Sequence, residues 1–189
     1  MSNPMDALYA GLGGASQSSR GEFIGLGTMR LKIKRFLTRK SATSGSDLTI
    51  VELECVEIIR KMDPVPAQDK RDDRLPGSNP IGTHISFVVN HAGTTWARAF
   101  ALGRLKALIA GALGLTDRDP IPDDVFTALG LPVPAEGVDR HAALAKAAQE
   151  GEGKLLAGLD VIATGVRGTK KDGSQIVDVR FSPVPAPGA

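Results

Sequence analysis

Thr28-Met-Arg-Leu-Lys-Ile-Lys-Arg-Phe-Leu37 and Leu48-Thr-Ile-Val-Glu-Leu-Glu-Cys-Val-Glu-Ile-Ile59 both alternate apolar with charged residues. Period two is the mark of a half-buried strand, because successive side chains leave opposite faces of the backbone. Met29, Leu31, Ile33 and Leu37 share one face of the first stretch, and Arg30, Lys32, Lys34 and Phe36 share the other. Arg35 breaks the alternation and predicts a bulge or the end of the clean ladder. In the second stretch Val51, Leu53 and Cys55 oppose Glu52 and Glu54, and the phase then slips so that Val56 and Ile58 become the apolar pair. That slip predicts a bulge near Cys55 or Val56, the kind of bend a small barrel needs. The connection Thr38 to Asp47 is polar, carries Gly45, and reads as a hairpin loop.

Outward from this pair, His84-Ile-Ser-Phe-Val-Val89 reads as a third strand with Ile85, Phe87 and Val89 on one face. A helix follows from Trp96 to about Leu113, with Leu102, Leu105, Ile109 and Leu113 as its buried stripe and Gly114 as its stop. Shorter helices are predicted from Pro122 to Gly130 and from Asp139 to Gln149. Two final strands, about Leu155 to Val166 and Gln175 to Ser182, are joined across Gly168–Gly173, where Asp172-Gly173 is a hairpin signal. Residues 62–82, rich in proline and charge, read as a long exposed loop, and residues 116–151 as a helical insertion. The domain then spans residues 21–182, between a small-residue N-terminal arm (1–20) and a proline-rich C-terminal tail (183–189).

A chain of 189 residues is about one domain, and 42% hydrophobic with 23% charged residues is globular composition. No run approaches the ~20 apolar residues that span a bilayer, so no membrane partner is expected. The start Met1-Ser-Asn-Pro-Met-Asp6 lacks the pattern of a signal peptide, which predicts the cytoplasm. Net charge is only +2, so any electrostatic argument rests on where the charges sit.

The order strand, strand, strand, helix, strand, strand is that of the OB-fold, a five-stranded β-barrel with a helix between strands three and four. The same elements also suit an open α+β sheet. An OB-fold binds its ligand under the loops joining strands 1 to 2 and 4 to 5, and those loops hold the bases. Arg35, Arg39 and Lys40 lie at the first, continuing the face of Arg30, Lys32, Lys34 and Phe36. Arg167, Lys170 and Lys171 lie at the second, with Arg180 beyond. Cations for phosphates and a ring for an unstacked base are what single-stranded nucleic acid requires, and Phe36 is the candidate ring. A plainer reading stands beside this one. If Ile33 faces Leu53, then Lys34 faces Glu52 and Lys32 faces Glu54, giving ordinary cross-strand pairs worth at most about 1 kcal/mol.

Other motifs offer less. Trp96 and Phe100 are one helical turn apart and suit core packing, and Cys55, the single cysteine, suits an inert core thiol. His84, His91 and His141 have no metal-ligand spacing, and Asp117, Asp119, Asp123 and Asp124 lack the pattern of a calcium loop. Gly168–Ser174 has no lysine where a phosphate loop needs one, and no nucleophile elbow occurs. The expectation is a protein without catalysis, cofactor, metal or small-molecule substrate.

Four segments carry a family likeness: Gly21-Glu-Phe-Ile-Gly-Leu-Gly-Thr-Met-Arg-Leu-Lys-Ile33, Thr49-Ile-Val-Glu-Leu-Glu-Cys-Val-Glu57, Gly82-Thr-His-Ile-Ser-Phe-Val-Val89 and Leu105-Lys-Ala-Leu-Ile-Ala-Gly-Ala-Leu-Gly114. The stretch that holds them, Gly21 to Leu115, is about half the chain and resembles phage-encoded OB-type single-stranded DNA-binding proteins. The resemblance implies a role in replication or recombination in the host cytoplasm, with Arg39 and Lys40 as hairpin bases that meet DNA and Lys106 as the helix lysine. One departure is the tail, which lacks the acids that recruit replication partners in many such proteins. The alternative is a virion or assembly protein whose terminal arms lie against neighbouring subunits of a homo-oligomer.

Overall fold

The computed structural model describes residues 23–42, 44–66, 75–92, 94–150, 152–169 and 173–186, with the backbone alone at 95–98. The N-terminal arm, the charged part of the long loop and the Trp96 side chain lie outside what is described. So do Lys170, Lys171 and the last three residues of the tail. The elements are β1 (Gly27–Lys40), β2 (Asp47–Lys61), β3 (His84–Asn90), α1 (Thr95–Ala112), α2 (Asp123–Ala128), α3 (Arg140–Gln149), β4 (Asp160–Thr169) and β5 (Gln175–Ser182). The five strands form one antiparallel sheet in the order β3-β2-β1-β4-β5. The sheet ends at β3 and β5, which no ladder joins among the described residues. What links these edges is an aromatic contact, Phe87 of β3 against Phe181 of β5, with centroids 5.1 Å apart and planes at 77°. The expected mainly β architecture is therefore present, as a five-stranded antiparallel sheet with two edges.

Three bulges shape the β1–β2 ladder. Thr28 faces Arg60 while Met29 faces Ile58, leaving Ile59 extra; Arg30 faces Glu57 while Leu31 faces Cys55, leaving Val56 extra. The second is the bulge foretold by the phase slip in β2. The third lies in β1, where Ile33 faces Leu53 and Arg35 faces Glu52, so Lys34 has no partner of its own. Because the side-chain period is two, one inserted residue turns everything after it to the opposite face. Phe36 consequently faces the core beside Val51, with 1% of its surface exposed, and Leu37 is only half-buried. This corrects the expectation that Phe36 shares the outer face with Lys32 and Lys34.

Met29, Leu31, Ile33, Val51, Leu53 and Cys55 are all fully buried and form the sheet side of the core. Burial pushes the Cys55 thiol above its ordinary pKa, consistent with the inert role read from its position. The helical side comes from Leu105, Leu108 and Ile109 of α1, joined by Phe126 of α2 and Leu144 and Ala148 of α3. Leu108 replaces Leu102 in the expected stripe, and Leu102 is 37% exposed. Gly114, at φ +76°, ends α1: its amide donates to the Gly111 carbonyl and that of Leu115 to Ala110, the closure that favours glycine. The Asp139 carboxylate caps α3 by accepting from the amides of His141 and Ala142 at 3.0 and 3.1 Å.

Two expectations need correction. The end of the long loop is not wholly exposed: Leu75 and Asn79 are buried, and Val65 bridges Leu75. Asn79 holds the approach to β1, its Oδ1 accepting from the Gly25 amide at 2.8 Å and its Nδ2 donating to the Phe23 carbonyl at 3.0 Å. β4 also begins at Asp160 rather than near Leu155. Residues 155–158 turn, their apolar content serving to bury Leu156.

Candidate nucleic-acid interface

The outer face of β1 and β2 is built from opposed charges. Arg30 reaches Glu57 at 3.0 Å and Asp160 at 3.8 Å, Lys34 reaches Glu54 at 2.8 Å, and Arg35 reaches Glu52 at 2.6 Å. Lys32 lies across the ladder from Glu54. The lysine hydrogen bond and charge hold the Glu54 carboxyl below its ordinary pKa, and the Glu52 carboxylate holds the Arg35 guanidinium above its own. The bulge explains why Lys34 and Arg35 both find acids, since it places Arg35 opposite Glu52 and leaves Lys34 to lean towards Glu54. Arg30, Lys32, Lys34 and Arg35 thus meet four carboxylates, Glu52, Glu54, Glu57 and Asp160, which offset their charge, while Arg60 and Lys61 at the end of β2 are exposed. Exposed pairs of this kind contribute about 0–1 kcal/mol each.

At the β1–β2 hairpin Lys40 pairs with Asp47 at 3.0 Å, whereas Arg39 is exposed and makes no ion pair among the described residues. Arg167, near the end of β4, is likewise exposed and unpaired among the described residues. Arg180 stands 75% exposed with Asp178 at 3.8 Å. β4 runs antiparallel to β1, from Asp160 opposite Lys32 to Gly165 opposite Gly27. The two hairpins therefore leave the sheet at opposite ends of β1. Lys106 belongs to neither: it lines a groove of about 240 Å³ between α1 and α3, beside Leu102 and His141. Burial, reinforced by the Lys106 charge, holds the His141 imidazole below its ordinary pKa, and its Nε2 has no hydrogen-bond partner.

An apolar recess lies where β3 and β5 fail to pair. A cleft of about 330 Å³ is lined by Phe23 and Ile24 ahead of β1, by Leu75 and Pro76, by Ser86, Phe87 and Val88 of β3, by Arg104 of α1, and by Ile176, Val177 and Val179 of β5. Phe23 is 60% exposed. Arg104 is held by an ion pair with Asp178 and lies over the Phe100 ring, 4.1 Å from its centroid. The strand alternation gave no sign of this cleft, because it arises where β3, β5 and the segments ahead of β1 and β3 come together.

Among the described residues no three His, Cys, Asp or Glu side chains cluster as metal ligands, and no helix is long and apolar enough to cross a membrane. With the geometry in place, comparison with known proteins adds no relative: neither a protein-family model nor a curated protein matches the chain.

Proposed function

We propose that the sheet is an OB-type barrel, closed at the β3–β5 seam by side chains, and that the chain binds single-stranded DNA without catalysis. In this reading it covers exposed strand in phage replication or recombination. The strand order β3-β2-β1-β4-β5, with α1 between β3 and β4, is the observation that carries it. It is supported by the two hairpins at which cations remain unpaired among the described residues, Arg39 at one and Arg167 at the other. Phosphates then lie along the hairpins rather than on the ion-paired middle of the β1–β2 face.

The test is a fluorescence titration of a labelled single strand and its duplex at two salt concentrations. The expected result is tighter binding of the single strand, with affinity falling as salt rises and the salt slope reduced by about one for each of Arg39→Ala and Arg167→Ala. Equal affinity for duplex, or no binding at low salt, overturns the proposal.

A further inference from the structure

We infer that the cleft between β3 and β5 receives unstacked bases of the bound single strand, with Phe23 and Phe87 as its stacking rings. This rests on the DNA-binding reading above and moves its aromatic platform. A strand held through phosphates alone would not distinguish single-stranded from double-stranded DNA by its bases, so a ring must be accessible. Phe36 cannot supply one, because its ring is in the core. Phe23 and Phe87 both line the cleft, and Phe23 keeps 60% of its surface in solvent. Apart from Ser86 and Arg104, the remaining walls, Val88, Ile176 and Val177 among them, are apolar, which suits the faces of bases.

Charge selects the occupant. Among the described residues no lining residue is acidic, and the one charged lining residue is Arg104, fixed between Asp178 and the Phe100 ring. Arg167 is the register partner of Val177, which lines the cleft, so the two rise from the same face of the β4–β5 ladder. An exposed guanidinium, unpaired among the described residues, thus stands at the hairpin end of an apolar recess. That is the complement of a ligand with flat apolar faces on an anionic backbone. A purely apolar segment of another protein would leave Arg167 without a purpose there.

The experiment compares a short oligodeoxythymidylate with an oligonucleotide of equal length made of abasic sites, which keeps the phosphates and removes the bases. The wild-type chain is expected to bind the thymidylate more tightly. Phe23→Ala should lower thymidylate affinity by about tenfold and leave abasic affinity and the melting temperature unchanged, and Phe87→Leu, at the contact that links β3 to β5, should lower thymidylate affinity by more than any loss of abasic affinity. Arg39→Ala should weaken both ligands equally. If both phenylalanine variants bind thymidylate as the wild type does, the bases lie elsewhere and the inference fails while phosphate binding stands. If the wild type binds neither oligonucleotide, the DNA-binding reading fails and the inference with it. If Phe23→Ala instead converts an oligomer to a monomer in sedimentation with oligonucleotide affinities unchanged, the cleft is a self-association surface and the inference is overturned.

Discussion

Replacing Phe36 with alanine separates a core ring from a stacking ring. The side chain is 1% exposed, faces Val51 across the ladder, and belongs to the main core cluster. Its backbone is also tied down, the amide donating to the Gly153 carbonyl at 2.8 Å, so the surroundings have little freedom to collapse into the space left. Truncation of a buried phenylalanine costs about 3–5 kcal/mol. At roughly 2–4 °C per kcal/mol for a chain of this size, the melting temperature should fall by roughly 6–20 °C. Phe36→Leu, which keeps most of the volume, should cost about 1.5 kcal/mol or less. Urea denaturation and thermal melts measure both variants, and a single-strand titration well below the melting temperature accompanies them. The folded fraction of Phe36→Ala should bind as the wild type does. A stability loss under about 1 kcal/mol together with weakened binding would place the ring outside and refute the bulge argument.

A double-mutant cycle on Arg35→Ala and Glu52→Ala should return a coupling of about 0.2–1 kcal/mol, since the pair is exposed; measured by urea denaturation, a value near zero would mean that the pair adds nothing to stability. The pH dependence of stability should contain a contribution from His141. Its folded pKa lies below the ordinary 6.5, mainly through burial and then Lys106, with Asp139 and Asp117 opposing. The unfolded chain therefore binds a proton that the folded chain resists, so this contribution is present above pH ~6.5 and is lost as the pH falls below it. His141→Gln should flatten the stability profile in that window, and an unchanged profile counts against the buried, neutral ring.

The fold was legible where a pattern is local. Alternation located β1, β2 and β5, and the phase slip at Val56 marked a bulge that is present in the ladder. The charge pairing was half legible, since Lys32 opposite Glu54 follows from aligning Ile33 with Leu53. Lys34 was misplaced because a bulge in β1 inserts a residue, and Arg35 alone could not say whether the strand ended or continued on the other face. Burial of Leu75 and Asn79 escaped notice because each is a single residue in a charged, proline-rich stretch, Leu75 held by its bridge to Val65 and Asn79 by contacts with a segment some 50 positions earlier. The cleft at the β3–β5 seam was illegible for a similar reason. It depends on how far the sheet curls, which no residue spacing encodes.

The return segment before β4 also guards against misassembly. β4 accompanies β1 only as far as Lys32, so the far half of β1 would otherwise present an open strand edge above the core. The chain at 153–159 covers it: Ile33 donates to the Leu159 carbonyl and accepts from the Gly158 amide, and Phe36 donates to Gly153. Gly153 is required there, with φ +69° and a space in which a Cβ would lie 1.8 Å from the Phe36 carbonyl oxygen. An uncovered edge of this kind templates pairing with other chains. Loss of this cover would thus show itself first as aggregation of folded molecules, with the sheet itself still intact.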